Sequence, residues 1–179
     1  PLVRIAIALA LILGSVTGLS MAFSAFTQSP PIAMPGKTQV LYVLASVVAG
    51  HLVYVFFVKV VERREVSELS PGYFFTEIME GAGMGTVLMA LSMFILWTLN
   101  VYQINGLNAI DSLVHSTHFR TALFAGYLEE LIFRAVIFRI LEEKLGTWLS
   151  LLLQAVLFGF LHASNPGASL FSSLAISLE

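Results

Sequence analysis

The sequence predicts an all-α protein, a polytopic bundle of transmembrane helices with about five complete spans and a truncated sixth. Three observations carry this reading. Hydrophobic residues make up 58% of the chain and charged residues 11%, with a mean hydropathy of +0.88. A soluble domain carries about 25% charged residues, so this chain could not cover a surface facing water. The apolar residues also fall into stretches approaching the roughly 20 residues a span requires. Finally, Glu129, Glu130 and Arg134 lie inside one of those stretches, where a single charged side chain costs about 2.5–3.5 kcal/mol on insertion scales. Three in six residues call for a functional reason.

The spans follow in order. The first runs from about Arg4 to Phe26 and is too long, and too lacking in a small-residue cleavage site, to be a signal peptide. Gln28-SPPIAMPG is a proline-rich loop into the second, about Gln39 to Val61. Lys59-VVERREVSELSPG, the one strongly charged stretch, suits a short amphipathic segment at the interface. The third span runs from about Ile78 to Leu99. Asn100 to His118, with Asp111, His115 and His118, is a polar loop or surface helix. The fourth span, about Phe119 to Leu141, stops at Gly146. The fifth, about Thr147 to His162, is short and ends at Ser164-NPG; Ala168 to Leu178 is the truncated sixth. Nothing divides the chain into domains, so 1–179 is expected to form a single transmembrane domain. Its N-terminal spans and interfacial segment lie in 1–66, and the core bearing the charged motif lies in 67–179. Pro1 in place of Met implies a start inside a longer protein.

Gly14-xxx-Gly18 and Gly81-xxx-Gly85 are candidate points of close helix approach. Trp97, Tyr102 and Trp148 fall near span ends, as interface aromatics do. Arg4, Lys59, Arg63, Arg64, Arg139 and Lys144 fall on one side of the membrane and Lys37 and Arg120 on the other, which places the N-terminus in the cytoplasm. The absence of cysteine excludes disulfide and thiolate chemistry, and no basic cluster of the nucleic-acid-binding kind is present. The expected partners are membrane lipid and a membrane-tethered peptide or protein, with no nucleic acid.

Glu130 and Arg134, four apart, share a helix face and can pair. Glu129 is turned about 100° away, on a face with Ala122, Ala125, Gly126 and Phe133. Glu129 stands 17 residues before Gly146 and His162 stands 16 after it, so in an antiparallel hairpin both lie about 24–26 Å from the turn. A carboxylate and an imidazole at one level, flanked by small residues, can hold a water. A low-dielectric pocket raises a carboxylate pKa towards that of a usable general base, the chemistry that hydrolyses an amide. Gln154 reads as a helix–helix hydrogen-bonding residue. Asn165, next to a helix-ending proline, is close enough to orient His162.

Glu129-Glu130-xxx-Arg134 followed by Phe158-xxx-His162 resembles the first two motifs of the CAAX-processing and bacteriocin-processing family of intramembrane proteases, the type II CAAX prenyl endopeptidase or Abi group. Val61-ERREVSEL resembles the charged segment of bacterial members, which implies a prokaryotic cell membrane. The resemblance implies an endopeptidase acting on a membrane-tethered, including prenylated, peptide. Glu129 would activate water with His162, Glu130 and Arg134 would support the site, and Phe158 would pack beneath His162. The family's third motif, a His followed four residues later by Asn, has no counterpart after His162, so the site in these residues is expected to be incomplete for catalysis. The preferred reading requires no cofactor. The alternative is a divalent metal such as zinc on Glu129 and His162, two ligands where a catalytic zinc site has three. The competing functional classes are a non-catalytic scaffold or immunity-type protein of the same fold, and a proton- or ion-translocating protein. The latter usually carries charges on several spans, whereas spans one and two have no interior acid.

Overall fold

A computed structural model describes residues 1–34, 36–69, 71–106, 117–165 and 167–178. Every regular element among them is helical. Helix α1 spans Leu2–Thr27. Helix α2 spans Gly36–Phe56 and runs on through a π-helical turn, Phe57–Glu62. Helix α3 spans Phe74–Thr98. Helix α4, Thr117–Glu130, passes through a π-helical segment, Leu131–Phe138, into α5, Arg139–Leu145. Helix α6 spans Thr147–His162 and α7 spans Leu170–Ser177.

Three helices are long and apolar enough to cross a membrane: Leu2–Thr27, Gly36–Glu62 and Phe74–Thr98. Helix α6 is apolar but shorter. The expected fourth span carries Arg120, Glu129, Glu130, Arg134 and Arg139, more charge than such a window admits, and must hold them through partners. The chain divides into two compact units: 1–65 with 116–179, and 66–115, which carries α3.

Local chemistry sets the ends of the elements. Gln28 takes the left-handed conformation that ends α1, and a 3₁₀ turn at Pro31–Ala33 leads into α2. Gly146, at φ 74° and ψ 169°, separates α5 from α6 in a conformation costly for any residue with a Cβ. The expected hairpin turn is therefore present. Ser169 caps α7 by accepting from the Ser172 amide, and the Ser172 hydroxyl accepts from the Ser169 amide in return. The charged stretch after α2 is not one amphipathic helix. Arg63 takes the left-handed conformation, and short 3₁₀ turns follow at Ser67–Leu69 and Pro71–Tyr73. Residues 107–116 lie outside the described residues, and with them Asp111 and His115; so do the side chain of His118 and all of Pro166.

Packing in the first unit runs along a seam of α2. Gln39, Tyr42, Val43, Ser46, Gly50 and Tyr54 are its buried residues, at the i, i+3, i+4 spacing of one helix face. The Tyr42 ring meets Phe23 of α1 and Phe124 of α4 at 5.6 and 5.9 Å. The close approach of helices falls at Gly50, where an added Cβ would lie 2.9 Å from the Leu128 side chain. Gly14, Gly18, Gly81 and Gly85, expected to mark such approaches, would meet nothing within 4 Å among the described residues. Helix α1 instead buries Ala8 and Ile12, a different stripe of its surface from Gly14 and Gly18. The motif that serves is Ser46-xxx-Gly50, which follows the same small-residue logic without the first glycine.

An ion network ties the ends of three helices together. Glu62, whose side chain is 2% exposed, accepts from Arg4 of α1, from Arg64 and from Arg139 of α5. Arg4 and Arg139 also reach Glu143, at 2.6 and 3.1 Å. The opposite end of α2 holds the buried Arg120, which donates to Gln39 at 2.8 Å, and Gln39 in turn donates to the Pro31 carbonyl. Arg4, Arg64 and Arg139 thus gather at one end of the unit and Arg120 at the other, as the positive-inside reading grouped them.

Candidate active site

Glu129 and Glu130 occupy the last two α-helical positions of α4, immediately before the π-helical segment. Such segments are rare and frequently fall at functional sites. The expected Glu130–Arg134 pair is formed, with Arg134 Nη1 donating to Glu130 Oε2 at 2.6 Å. Both side chains remain more than half exposed. Glu129 turns elsewhere, towards α6. Its Oε1 stands 4.0 Å from His162 Nε2, so the level shared by these two residues, inferred from their distances to Gly146, is realised.

The imidazole is held on its other side. His162 Nδ1 lies 2.9 Å from the Phe158 carbonyl oxygen. A carbonyl can only accept, so Nδ1 carries a proton and the neutral ring presents the Nε2 lone pair to Glu129. Two acceptors 4.0 Å apart are too far for a direct hydrogen bond and are spaced for a water donating to each. The ring itself is held by contact with a neighbouring ring inclined at 46°. Phe158 lies 4.4 Å from it, and Phe133 of α4 meets Phe158 edge-on at 4.8 Å, so an aromatic ladder joins the two helices beneath the histidine.

A hollow of about 80 Å³ opens beside the carboxylates, lined by Gly126, Glu129, Glu130, Phe133, Arg134 and Gln154, with Phe158 at its edge. It exceeds the volume of a single water, about 30 Å³ in the liquid. Gln154 makes no side-chain hydrogen bond among the described residues and faces this hollow. A larger hollow of about 360 Å³ shares Arg134, Gln154 and Phe158 with it and continues over Trp148, Leu151 and Ile176. Asn165 is linked to His162 through the backbone, its amide donating to the His162 carbonyl at 3.1 Å, and its side chain is exposed. On the His162 helix, Gly159 faces a neighbour instead of open space: an added Cβ would lie 1.7 Å from Ser177 Oγ and 2.7 Å from the Ser173 carbonyl. Helix α7 therefore seats directly on the turn that carries His162.

A second polar pair escaped the sequence reading. His51 Nδ1 lies 2.6 Å from the Tyr127 hydroxyl, with the rings stacked, joining α2 to α4 two residues before Glu129. A histidine inside an otherwise apolar span was the available signal.

For a divalent metal, the described residues offer Glu129 and His162 and no group of three His, Asp or Glu side chains. That pair falls short of the three protein ligands of a catalytic zinc site, so no step is derived through a metal.

Residues 111–178 match the family model for type II CAAX prenyl endopeptidase Rce1-like proteins. The matched stretch contains both motifs, from Glu129 to Arg134 and from Phe158 to His162. The motif resemblance is thereby borne out, and the match points to a membrane-embedded protease. No curated protein and no solved structure matches the chain.

Proposed function

We propose that the chain is an intramembrane endopeptidase that cleaves a membrane-tethered peptide, including a prenylated one, by a Glu129- and His162-activated water, in a prokaryotic cell membrane. The observation that carries this reading is the 4.0 Å approach of Glu129 Oε1 to His162 Nε2, with Nδ1 already committed to the Phe158 carbonyl. Glu129 withdraws one proton from a water whose other hydrogen is held by Nε2. The water oxygen attacks the peptide carbonyl carbon, the C–N bond breaks, and the proton on Glu129 passes to the departing amine. Glu130 and Arg134 neutralise each other and leave Glu129 free for this role. The apolar hollow running on from the site over Trp148, Leu151 and Ile176 suits the apolar part of a tethered substrate. Membrane lipid is the solvent of the reaction and nucleic acid has no part in it.

The test is cleavage of a fluorogenic lipid-anchored peptide by the full-length protein in proteoliposomes. Glu129→Gln should lower the rate by about 10²–10⁴-fold, the range for losing a general base. His162→Ala should do likewise, and the double variant should lose little more because the two act as one unit. Full activity in Glu129→Gln with normal insertion would reject catalysis at this site and leave a scaffold or immunity-type role.

A further inference from the structure

The end of α2 carries a charged feature that water activation does not use. Lys59, Arg63, Arg64 and Glu65 line a hollow of about 480 Å³. Backbone geometry builds it: the π-helical turn Phe57–Glu62 ends at Arg63, held left-handed at φ 55° with its amide on the Val58 carbonyl. The chain therefore turns out of the helix and spreads Lys59, Arg63 and Arg64 around a space instead of along one helix face.

The ion network beside the hollow explains why charge remains there. Glu62 is fully engaged by Arg4, Arg64 and Arg139, and Glu143 by Arg4 and Arg139. Arg64 is anchored as a wall of the hollow by Glu62 and by the Glu65 carbonyl. Among the described residues Lys59 and Arg63 have no acidic partner, and both are exposed. Lys59 and Arg63, with Arg64 held by Glu62, thus outnumber the one further carboxylate of the lining, Glu65, where the apolar span Gly36–Glu62 ends, at the depth of lipid headgroups.

We propose that this hollow binds the phosphate of an anionic phospholipid headgroup through Lys59 and Arg63, with Arg64 as its fixed wall. A phosphate diester carries the negative charge and acceptor oxygens that such a set of donors takes up. The span above it supplies the apolar contact for the acyl chains, and the site lies at the end of the bundle that the positive-inside rule places in the cytoplasm.

The experiment uses the full-length protein in phosphatidylcholine nanodiscs titrated with fluorescent phosphatidylglycerol, enrichment around the protein being read by energy transfer from Trp97 and Trp148. Wild type should enrich the anionic lipid. Lys59→Gln and Arg63→Gln should each reduce its affinity about fivefold and the double variant about 25-fold, the equivalent of about 1 kcal/mol per basic residue. Lys37→Gln, at the far end of α2, should change nothing. Because Lys59 and Arg63 are exposed and outside the ion network, an unchanged unfolding midpoint will show that the variants fold. Undiminished enrichment in the double variant, or an equal loss in Lys37→Gln, would overturn the proposal. Abolition of enrichment by millimolar inorganic phosphate would also overturn it, by marking a site for free phosphate.

Discussion

Replacing Glu62 with glutamine should be among the most destabilising isosteric changes in the chain. Both carboxylate oxygens are in use: Oε1 accepts from Arg4, and Oε2 from Arg64 at 3.0 Å and Arg139 at 2.6 Å. Glutamine would keep one acceptor and turn an NH₂ group towards guanidinium donors, leaving at least one side of the network unsatisfied. Breaking a buried ion pair from one side costs about 3–5 kcal/mol. Here the arginine side chains are 33%, 27% and 18% exposed, so water recovers part of that loss, and Arg4 and Arg139 retain Glu143. The expected loss is about 2–3 kcal/mol. Glu143→Gln should cost under about 1 kcal/mol, because its side chain is 41% exposed and its pairs lie near solvent. Equilibrium unfolding in mixed micelles would measure both. A Glu62→Gln protein within about 0.5 kcal/mol of wild type, or a Glu143→Gln protein that is the weaker of the two, would refute the view that Glu62 is the hub joining α1, α2 and α5.

Gly159→Ala should destabilise by about 1–3 kcal/mol and lower proteolysis. Ser177 can rotate away from the new methyl group, but the Ser173 backbone carbonyl at 2.7 Å cannot, so α7 must shift off the turn bearing His162; unchanged unfolding and activity would contradict this packing. A pH effect follows from Glu143, which lies beyond the fourth span. The hydrogen bond from Arg4 holds its carboxyl below the ordinary 4.5, against the opposing effect of burial and with help from the charges of Arg4, Arg139 and Arg64. A carboxyl depressed in the folded state stabilises above its unfolded pKa and ceases to as pH falls through the folded value. The unfolding midpoint should thus hold from about pH 7 to about pH 5 and drop below about pH 4.5, with a shallower drop in Glu143→Gln. The cysteine-free sequence suits topology mapping: cysteines at Ser29 and Glu142 lie at opposite ends of a unit whose α1 alone is about 39 Å long, and an impermeant reagent should label only Ser29Cys in intact cells. Labelling of Glu142Cys alone would reverse the orientation.

The features legible in the sequence were those governed by local rules. Gly146 could be read as a hairpin turn because few other residues tolerate its backbone angles. Once that turn was fixed, the rise per residue put Glu129 and His162 at one level without any tertiary information. The interhelical details were not legible, because they depend on which face of each helix meets its neighbour. Gly14 and Gly18 advertise a contact that α1 makes through Ala8 and Ile12 instead. The contact made at Gly50 is hidden behind Ser46, a residue that a search for paired glycines passes over. The π-helical segment after Glu130 was equally invisible, since Leu131-IFRAVIF contains no Gly or Pro to mark a break in the helix. That irregularity bears on the site. It begins just after the carboxylate pair and includes Phe133, the residue that carries α4's side of the aromatic ladder to Phe158 and His162. Phe133 and Glu129, four residues apart, share a face at ordinary α-helical spacing, so the ladder's α4 member was legible in the sequence and the irregularity beside it was not. The α4 member of the ladder that steadies the imidazole and the carboxylate that faces it therefore lie on one face of the same helix, opposite His162 on its neighbour.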